Sequence, residues 1–224
     1  MKFISKPVRF GLGVAAIILV YAYYMNVGQK VLLTDRNFFG IHRIGLDYSG
    51  KVISLYHNTT LHGSQVISEK DKCIPTTYYA MEGPIGQMFE TFKNDESKIK
   101  VGALGVGTGS ISCYGKEDQD WVFYEIDQDV VKMNNKGKYF TYFENSPPET
   151  YVVYGDGRLK MKDAPRHYYD FIILDAFSSD AIPVHLVTRE AMKLYLSKLK
   201  EGGIIAFHTS NRYLKLQTVI GNLA

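Results

Sequence analysis

The stretch KVGALGVGTGSISCYGKEDQDWVFYEID, residues 100–127, decides the fold. It holds an apolar run, a glycine-rich turn that begins at Gly105, and a second apolar run that leads to Glu125. A strand that runs into a glycine turn and then a helix brings backbone N–H groups together at one point. A carboxylate at the tip of the next strand suits the two hydroxyls of a ribose. The stretch therefore predicts a pocket for a nucleoside-containing cofactor, as an enzyme would have.

The spacing of the glycines indicates the kind of cofactor. Gly105, Gly107 and Gly109 follow a G-x-G-x-G pattern, whereas the dinucleotide fingerprint has its third glycine one residue later, at Ser110. Glycines also end strands for steric reasons, so such a turn is a weak signal by itself. The mismatch disfavours NAD and favours the tighter turn of S-adenosylmethionine-binding folds.

Strand and helix patterns alternate from Ile99 onward. Strands are predicted at Val101–Leu104, Trp121–Ile126, Tyr151–Tyr154, Phe171–Leu174 and Ile204–His208, and helices at Gly109–Lys116, Gln128–Lys136, Arg158–Lys162 and Val184–Lys200. This alternation predicts an α/β fold with a Rossmann-like, class I methyltransferase-type parallel sheet. Residues 29–67 predict a small N-terminal β-sheet. We expect a membrane anchor over residues 1–28, a β-subdomain over 29–75 and an S-adenosyl-binding domain over 76–224.

The N-terminus predicts a membrane anchor. Phe10–Val27 carries no charged residue, and at about 1.5 Å per residue it nearly spans a hydrocarbon core of about 30 Å. The basic residues before it also fit a cleaved signal peptide, but the apolar run is long for one. We favour a single N-terminal transmembrane helix with the catalytic domain in the cytoplasm, where S-adenosyl compounds are made. Basic residues on both sides of the segment leave its orientation open.

The composition is that of an ordinary folded protein. Hydrophobic residues make up 46%, and the net charge of +3, without any lysine–arginine run, gives no reason to expect a nucleic-acid partner. Cys73 and Cys113 have no metal or redox spacing and are predicted to be buried thiols rather than a bridge. The six histidines are not predicted to cluster, and His185 and His208, near the predicted crevice rim, are interpreted as structural. We expect no metal and no serine triad.

Carboxylates follow the predicted strands. Glu125 stands at the ribose-binding distance from the glycine turn. Asp127 is either the N-cap of the following helix or part of the frame around adenosine. Asp156 follows the third strand, where a carboxylate can accept a hydrogen bond from the exocyclic amine of a base. Asp175 ends the fourth strand, and with Asp180 it could bind and deprotonate an amine, although Asp180 also fits a turn or a helix cap.

Several motifs together resemble one family. The segments Leu61-His-Gly-Ser-Gln65, Gly83-Pro-Ile-Gly86, the glycine turn, Glu125-Ile-Asp127, Gly155-Asp-Gly157 and Asp175…Asp180 occur in the order seen in spermidine synthases. The chain looks most similar to spermidine synthase-like (polyamine aminopropyltransferase) domains that follow membrane segments in some bacterial proteins. The resemblance implies decarboxylated S-adenosylmethionine as donor and a polyamine such as putrescine as acceptor. It implies that Gln65 and Glu125 contact the ribose, Asp156 the adenine and Asp175 the attacking amine.

We therefore predict Asp175 and Asp180 as catalytic residues. The predicted cofactor-binding residues are Gln65, Gly105, Gly107, Thr108, Gly109, Glu125, Asp127, Asp156 and Gly157. Spermidine synthases carry an acid within the glycine loop that grips the donor's amine, and Thr108 stands at that position here. Methyl transfer from S-adenosylmethionine and a degenerate nucleoside-binding module are therefore alternatives. The family's last two strands lie beyond Ala224, so we expect either a fragment or an exposed sheet edge that a partner or a second copy covers.

Overall fold

The computed structural model describes residues 6–26, 29–68, 70, 72–91, 99–177, 182–210 and 214–223, without the side chains of 24–26. The first element of the described residues is helix α1 (Pro7–Asn26). Within the described residues, no helix is both long and apolar enough to cross a membrane. The prediction of a single N-terminal span is therefore wrong. The charge-free stretch inside α1 runs from Phe10 to Asn26, and at about 1.5 Å per residue it is shorter than a hydrocarbon core of about 30 Å.

A four-stranded antiparallel sheet follows α1. Its strands are β1 (Gln29–Asn37), β2 (Gly40–Asp47), β3 (Val52–His57) and β4 (Thr60–Val66), and they pair in chain order. The turn between β2 and β3 is held by Asp47, whose carboxylate accepts the backbone N–H groups of Lys51 and Val52 at 2.8 and 2.7 Å. The sheet therefore forms a meander of the kind that the alternating sequence predicts.

The second sheet has five parallel strands. They are β5 (Lys100–Leu104), β6 (Asp120–Glu125), β7 (Glu149–Tyr154), β8 (Tyr169–Leu174) and β9 (Leu199–Phe207), in the order β7-β6-β5-β8-β9. The predicted α/β fold with a parallel sheet is confirmed. From β5, the chain adds β6 and β7 on one side of the sheet. It then returns to the other side of β5 to form β8 and β9, so the strand order reverses between β5 and β8. A ligand crevice is expected outside the carboxyl ends of strands at such a point.

The helices connect and cover these strands. They are α2 (Pro84–Thr91), α3 (Gln128–Asn134), α4 (Tyr142–Asn145), α5 (Gly157–Met161), α6 (Arg189–Lys198) and α7 (Leu216–Gly221). Several are shorter than predicted. The glycine turn leads into a 3₁₀ helix, Ser110–Tyr114, instead of an α-helix that reaches Lys116. The long helix predicted from Val184 begins only at Arg189, because Thr188 caps it by accepting the backbone N–H of Ala191.

The hydrophobic core explains how the two sheets are held together. The parallel strands are buried on both faces, with Val101, Ala103 and Phe123 in one cluster and Leu104 and Tyr124 in the other. A third cluster lies beneath the antiparallel sheet. It combines residues of β2 and β3 with residues around α3 and α4, namely Ile44, Ile53, Leu55, Met133, Phe140 and Tyr142. This cluster seats the antiparallel sheet beside the carboxyl end of β6.

Cys73 and Cys113 form a disulfide, with their Cα atoms 5.4 Å apart, so the prediction of two separate thiols is wrong. Cys73 follows the antiparallel sheet, whereas Cys113 lies in the 3₁₀ helix after the glycine turn. The two are 40 residues apart in sequence. Their pairing depends on how the two sheets pack, which no local spacing reveals.

Candidate active site

A cavity of about 290 Å³ opens at the carboxyl ends of β5 and β8. Both sheets line it. The parallel sheet contributes Gly105, Gly107, Glu125 and Asp175, and the antiparallel sheet contributes three histidines that are described below. Its volume is close to the lower end of the range for small-molecule sites.

The glycine turn forms the floor of the cavity. Gly105 has φ +101°, a conformation that side chains disfavour, and a Cβ there would lie 2.3 Å from the carbonyl oxygen of Asp175. Gly107 also lines the cavity. Gly109 does not belong to the lining and faces the ring of Phe143 instead, which a Cβ would meet at 3.0 Å. The turn thus brings the backbone after β5 against the backbone after β8.

Glu125 lies at the end of β6 and is 9% exposed. Its Oε2 accepts the backbone N–H of Val106 at 2.9 Å, and its Oε1 accepts that of Asp127 at 2.8 Å. Burial raises its pKa above the ordinary value, against the lowering effect of these backbone hydrogen bonds. The carboxylate lines the cavity, where it could accept hydrogen bonds from two vicinal hydroxyls.

Asp127 resolves one of the alternatives open in the sequence. Its carboxylate caps α3 by accepting the backbone N–H of Asp129 at 2.9 Å. It also accepts the amide of Asn37 at 2.8 and 2.9 Å and lies 2.6 Å from Nε2 of His42. Although burial alone would raise the pKa of Asp127, the hydrogen bonds from His42 and Asn37 lower it. Asp127 lines the cavity and at the same time fastens the antiparallel sheet to α3.

Asp156 and Gly157 line the cavity at the start of α5. Asp156 Oδ1 accepts the backbone N–H of Leu159 at 2.8 Å and so caps this short helix. Its Oδ2 lies 2.7 Å from Nε2 of His185. The carboxylate that the sequence predicts to face a base is therefore also a helix cap and the partner of a histidine.

Asp175 follows β8 directly and lies at the centre of a hydrogen-bond network. Its Oδ1 is 2.7 Å from Nδ1 of His208, and its Oδ2 accepts the hydroxyls of Tyr79 and, at 3.3 Å, of Tyr78. Burial would raise the pKa of Asp175, but these bonds and the His208 charge lower it. Burial and the charge of Asp175 raise the pKa values of both tyrosines, so the phenols stay protonated donors.

Two predicted cofactor-binding side chains lie outside the cavity lining. Gln65 is 5% exposed, and its amide bonds to the backbone carbonyl of Lys72 and to Thr141. Thr108 is 2% exposed and packs against Gly63, where a Cβ would lie 2.7 Å from its hydroxyl oxygen. The predicted catalytic residue Asp180 falls outside the described residues.

The histidines cluster, contrary to the prediction. His42 and His57 are cross-strand partners on β2 and β3, and their ring centroids are 4.6 Å apart. The ring of His62, on β4, is 5.6 Å from that of His57. All three line the cavity. Burial lowers the pKa of His62 to about 4, so this imidazole is neutral at pH 7.

The strand register, and not the spacing of histidines along the chain, predicts that His42 and His57 lie together. Facing positions of antiparallel strands place their side chains on the same face of the sheet. The pairing of β2 with β3 could thus have brought His42 and His57 together, had the register been known. Among the described residues, no three histidine, cysteine or acidic side chains are grouped so that they could hold a metal ion.

Comparisons with known proteins support the same family as the motifs. The family described as the spermine/spermidine synthase domain matches residues 106–223, which is more than half of the chain. The chain belongs to this family. A curated relative is the polyamine aminopropyltransferase of Vibrio vulnificus (strain CMCP6), which is 34% identical over 120 residues. That match covers 49% of this chain and 38% of the relative.

The fold of the family extends to the part of the chain before residue 106. A spermidine synthase from Thermotoga maritima aligns with 87% of this chain and 64% of its own, at 17% identity and a TM-score of 0.62. A probable spermidine synthase from Corynebacterium glutamicum aligns with 80% of this chain and 63% of its own, at 17% identity and a TM-score of 0.64. The chain thus spans less than two thirds of each of these relatives.

Proposed function

We propose that the chain is an aminopropyltransferase that uses decarboxylated S-adenosylmethionine and the amine of a polyamine such as putrescine. The observation that carries the proposal is the position of the Asp175 carboxylate, held at the edge of the cavity against the glycine turn. Membership of the spermine/spermidine synthase domain family supports this reaction over other uses of a nucleoside pocket.

The donor would lie along the carboxyl ends of the strands. Glu125 would accept the ribose hydroxyls, because its carboxylate is buried and held in place by two backbone N–H groups. Asp156, at the start of α5, would accept a hydrogen bond from the exocyclic amine of adenine. The sulfonium would then lie toward Asp175, on the other side of the glycine turn.

The transfer needs a free amine. An acceptor ammonium would lose one proton to Asp175, because only the neutral amine has a lone pair for attack. The nitrogen would then form a bond to the propyl carbon attached to sulfur. The carbon–sulfur bond breaks with its electron pair going to sulfur, which leaves neutral methylthioadenosine and a secondary ammonium product. The Asp175 proton then leaves to solvent.

A product assay tests this proposal. The full chain is incubated with decarboxylated S-adenosylmethionine and putrescine, and methylthioadenosine and spermidine are measured by mass spectrometry. We expect both products in equal amounts and in proportion to enzyme concentration. No methylthioadenosine above the enzyme-free background would contradict the proposal.

Two control arms make the result specific. Replacing the donor with S-adenosylmethionine tests methyl transfer, whose product would be S-adenosylhomocysteine instead of methylthioadenosine. Omitting putrescine tests hydrolysis of the donor, which would release methylthioadenosine without spermidine. Aminopropyl transfer predicts little product in both arms.

A further inference from the structure

His208 lies beside Asp175 because of the register of the parallel sheet. Leu174 of β8 pairs with Phe207 of β9. The residues that follow them, Asp175 and His208, therefore lie side by side at the ends of the two strands. The backbone N–H of His208 donates to the carbonyl of Leu174 at 2.9 Å, which fixes its position at the strand end. Its Nδ1 is 2.7 Å from Oδ1 of Asp175.

The hydrogen bonds of Asp175 differ between its two carboxylate oxygens. A carboxylate offers about four lone-pair positions, two on each oxygen. The hydroxyl of Tyr79 donates to Oδ2, and the single hydroxyl proton of Tyr78 is shared between Oδ2 at 3.3 Å and the backbone carbonyl of His62 at 3.2 Å. His208 occupies one position on Oδ1. Among the residues that the structure describes, His208 is the side chain that donates to Oδ1, so an incoming amine can use the second lone-pair position of that oxygen.

We propose that His208 is a positioning residue for the aminopropyl transfer. It holds Oδ1 of Asp175 toward the acceptor amine, and its charge sets how strongly that oxygen attracts a proton. This inference rests on the proposed function and adds a residue that the motifs do not contain. Because Nδ1–H donates to an ionised carboxylate, Nε2 is the nitrogen of His208 that titrates.

The surroundings of His208 hold its ring in place. Its centroid is 4.7 Å from that of Tyr78 and 5.0 Å from that of Phe177. The titratable groups that face it in the described residues are Asp175, Tyr78 and, more distantly, His62, whose pKa it helps to lower. Burial alone would lower the pKa of His208, but the hydrogen bond and charge of Asp175 raise it above the ordinary value.

This pair gives the reaction a defined pH dependence. Below its pKa, His208 is an imidazolium, which stabilises the ionised form of Asp175 and makes it a weaker base. Above its pKa, the neutral imidazole still donates through Nδ1–H but no longer opposes proton uptake by Asp175. Turnover should therefore rise with pH through the His208 pKa and level off at a lower value below it, where the imidazolium form predominates.

The first test needs no turnover. Histidine side-chain NMR of the full chain gives the tautomer and pKa of His208, with the resonance assigned by its loss in His208→Gln. We expect Nδ1 to be protonated and the pKa to lie above the ordinary value. In Asp175→Asn the pKa should fall by at least about one unit, because the opposite charge is gone. An unchanged pKa in that variant would overturn the pairing.

The second test is the pH profile of kcat. A glutamine can donate one hydrogen bond to Asp175 but stays neutral. His208→Gln should therefore lose the acid limb, which is the decrease in kcat that the wild type shows at low pH. His208→Ala should lower kcat at pH 8 by about tenfold with KM little changed, and glutamine should restore most of the loss. His167→Asn is the matched control. His167 lies before the amino end of β8, far from the carboxyl end where Asp175 lies, and asparagine tolerates its positive φ.

The outcomes separate the two proposals. A wild-type acid limb that persists in His208→Gln overturns the role of His208, and so does a His208→Ala variant that changes only KM. If the wild type makes no methylthioadenosine while the His208 pKa responds to Asp175→Asn, the proposed function fails and the pairing stands. His167→Asn should keep the wild-type profile, and a lost limb in that control would likewise count against His208.

Discussion

Gly105 and Asp175 touch through their backbones, so closely that a Cβ on Gly105 would lie 2.3 Å from the Asp175 carbonyl oxygen. The glycine turn that opens the predicted pocket and the carboxylate proposed as the base are therefore parts of one rigid junction between β5 and β8. The hydrogen bond from the Asp175 backbone N–H to the carbonyl of Leu104, 2.9 Å long, holds the same junction.

Substitution of Gly105 should damage this junction. Gly105→Ala adds a clash with backbone and strains a residue at φ +101°, so we expect the unfolding free energy to fall by about 1–3 kcal/mol and donor binding to be lost. Gly50→Ala is the control, since Gly50 has φ +71° but no heavy atom near its Cβ position. Denaturant unfolding and calorimetry measure both effects. Equal losses in the two variants would show that conformational strain alone, and not contact with Asp175, is responsible.

Glu125 and Gln65 can be separated by experiment. Glu125→Gln should weaken donor binding by about tenfold to a hundredfold, because the ribose hydroxyls lose a charged acceptor. Gln65→Ala should leave the donor affinity within about twofold and lower the unfolding free energy by about 1–3 kcal/mol, because it removes the hydrogen bonds of a buried amide with Lys72 and Thr141. Calorimetry and thermal unfolding make the comparison. Donor binding that weakens as much in Gln65→Ala as in Glu125→Gln would mean that Gln65 contacts the donor.

The hydrogen bonds of Asp127 with His42 and Asn37, called the clamp below, predict a pH-dependent contribution to stability. The pKa of Asp127 is lowered in the folded chain, so its contribution is fully present above the unfolded pKa of about 3.9 and is lost as the pH falls toward the folded pKa. Asp127→Asn should therefore cost about 1–3 kcal/mol at pH 7, and the difference from wild type should shrink below about pH 4.

Denaturant unfolding between pH 7 and pH 3 measures that difference. Asp35 is exposed, so Asp35→Asn is the matched control. Its unfolding free energy at pH 7 should stay within about 0.5 kcal/mol of wild type. A difference for Asp127→Asn that does not change with pH would contradict the assignment of its charge to the clamp with His42 and Asn37.

The disulfide predicts a response to reduction. Closing a segment of 40 residues should stabilise the chain by about 2–4 kcal/mol, mainly through the unfolded state. The double variant Cys73→Ser, Cys113→Ser should lose this amount in denaturant unfolding, and dithiothreitol should lower the wild type to the same level. A wild type that does not respond to dithiothreitol would contradict a bridge. The double variant itself should be insensitive to the reductant.

The sequence predicts the parallel sheet and the acids at its edge, for a common physical reason. Buried parallel strands read as apolar runs, and their carboxyl ends meet at one edge, so residues that follow such runs, like Glu125, Asp156 and Asp175, come together. The prediction depends only on local patterns and on the handedness of βαβ connections. No detailed packing has to be known for it.

The remaining features depend on packing between distant segments. His42 and His57 reach the cavity because the antiparallel sheet seats on α3 and α4, and Cys73 reaches Cys113 for the same reason. The predicted membrane span has a different outcome: it runs to Val27, whereas α1 ends at Asn26 and is not long and apolar enough to cross a membrane. The burial of Thr108 against Gly63, outside the cavity lining, also depends on the packing of the two sheets.

The most direct test of the account is the single-turnover rate of methylthioadenosine release in Asp175→Asn, with donor affinity measured on the same preparation. Removal of the base should lower the rate by about 10²–10⁴-fold while the donor dissociation constant stays within about threefold of wild type. Asn keeps the size and one acceptor oxygen, so a folded variant is expected. A rate equal to that of the wild type would contradict the central claim that Asp175 takes the acceptor's proton in this cavity.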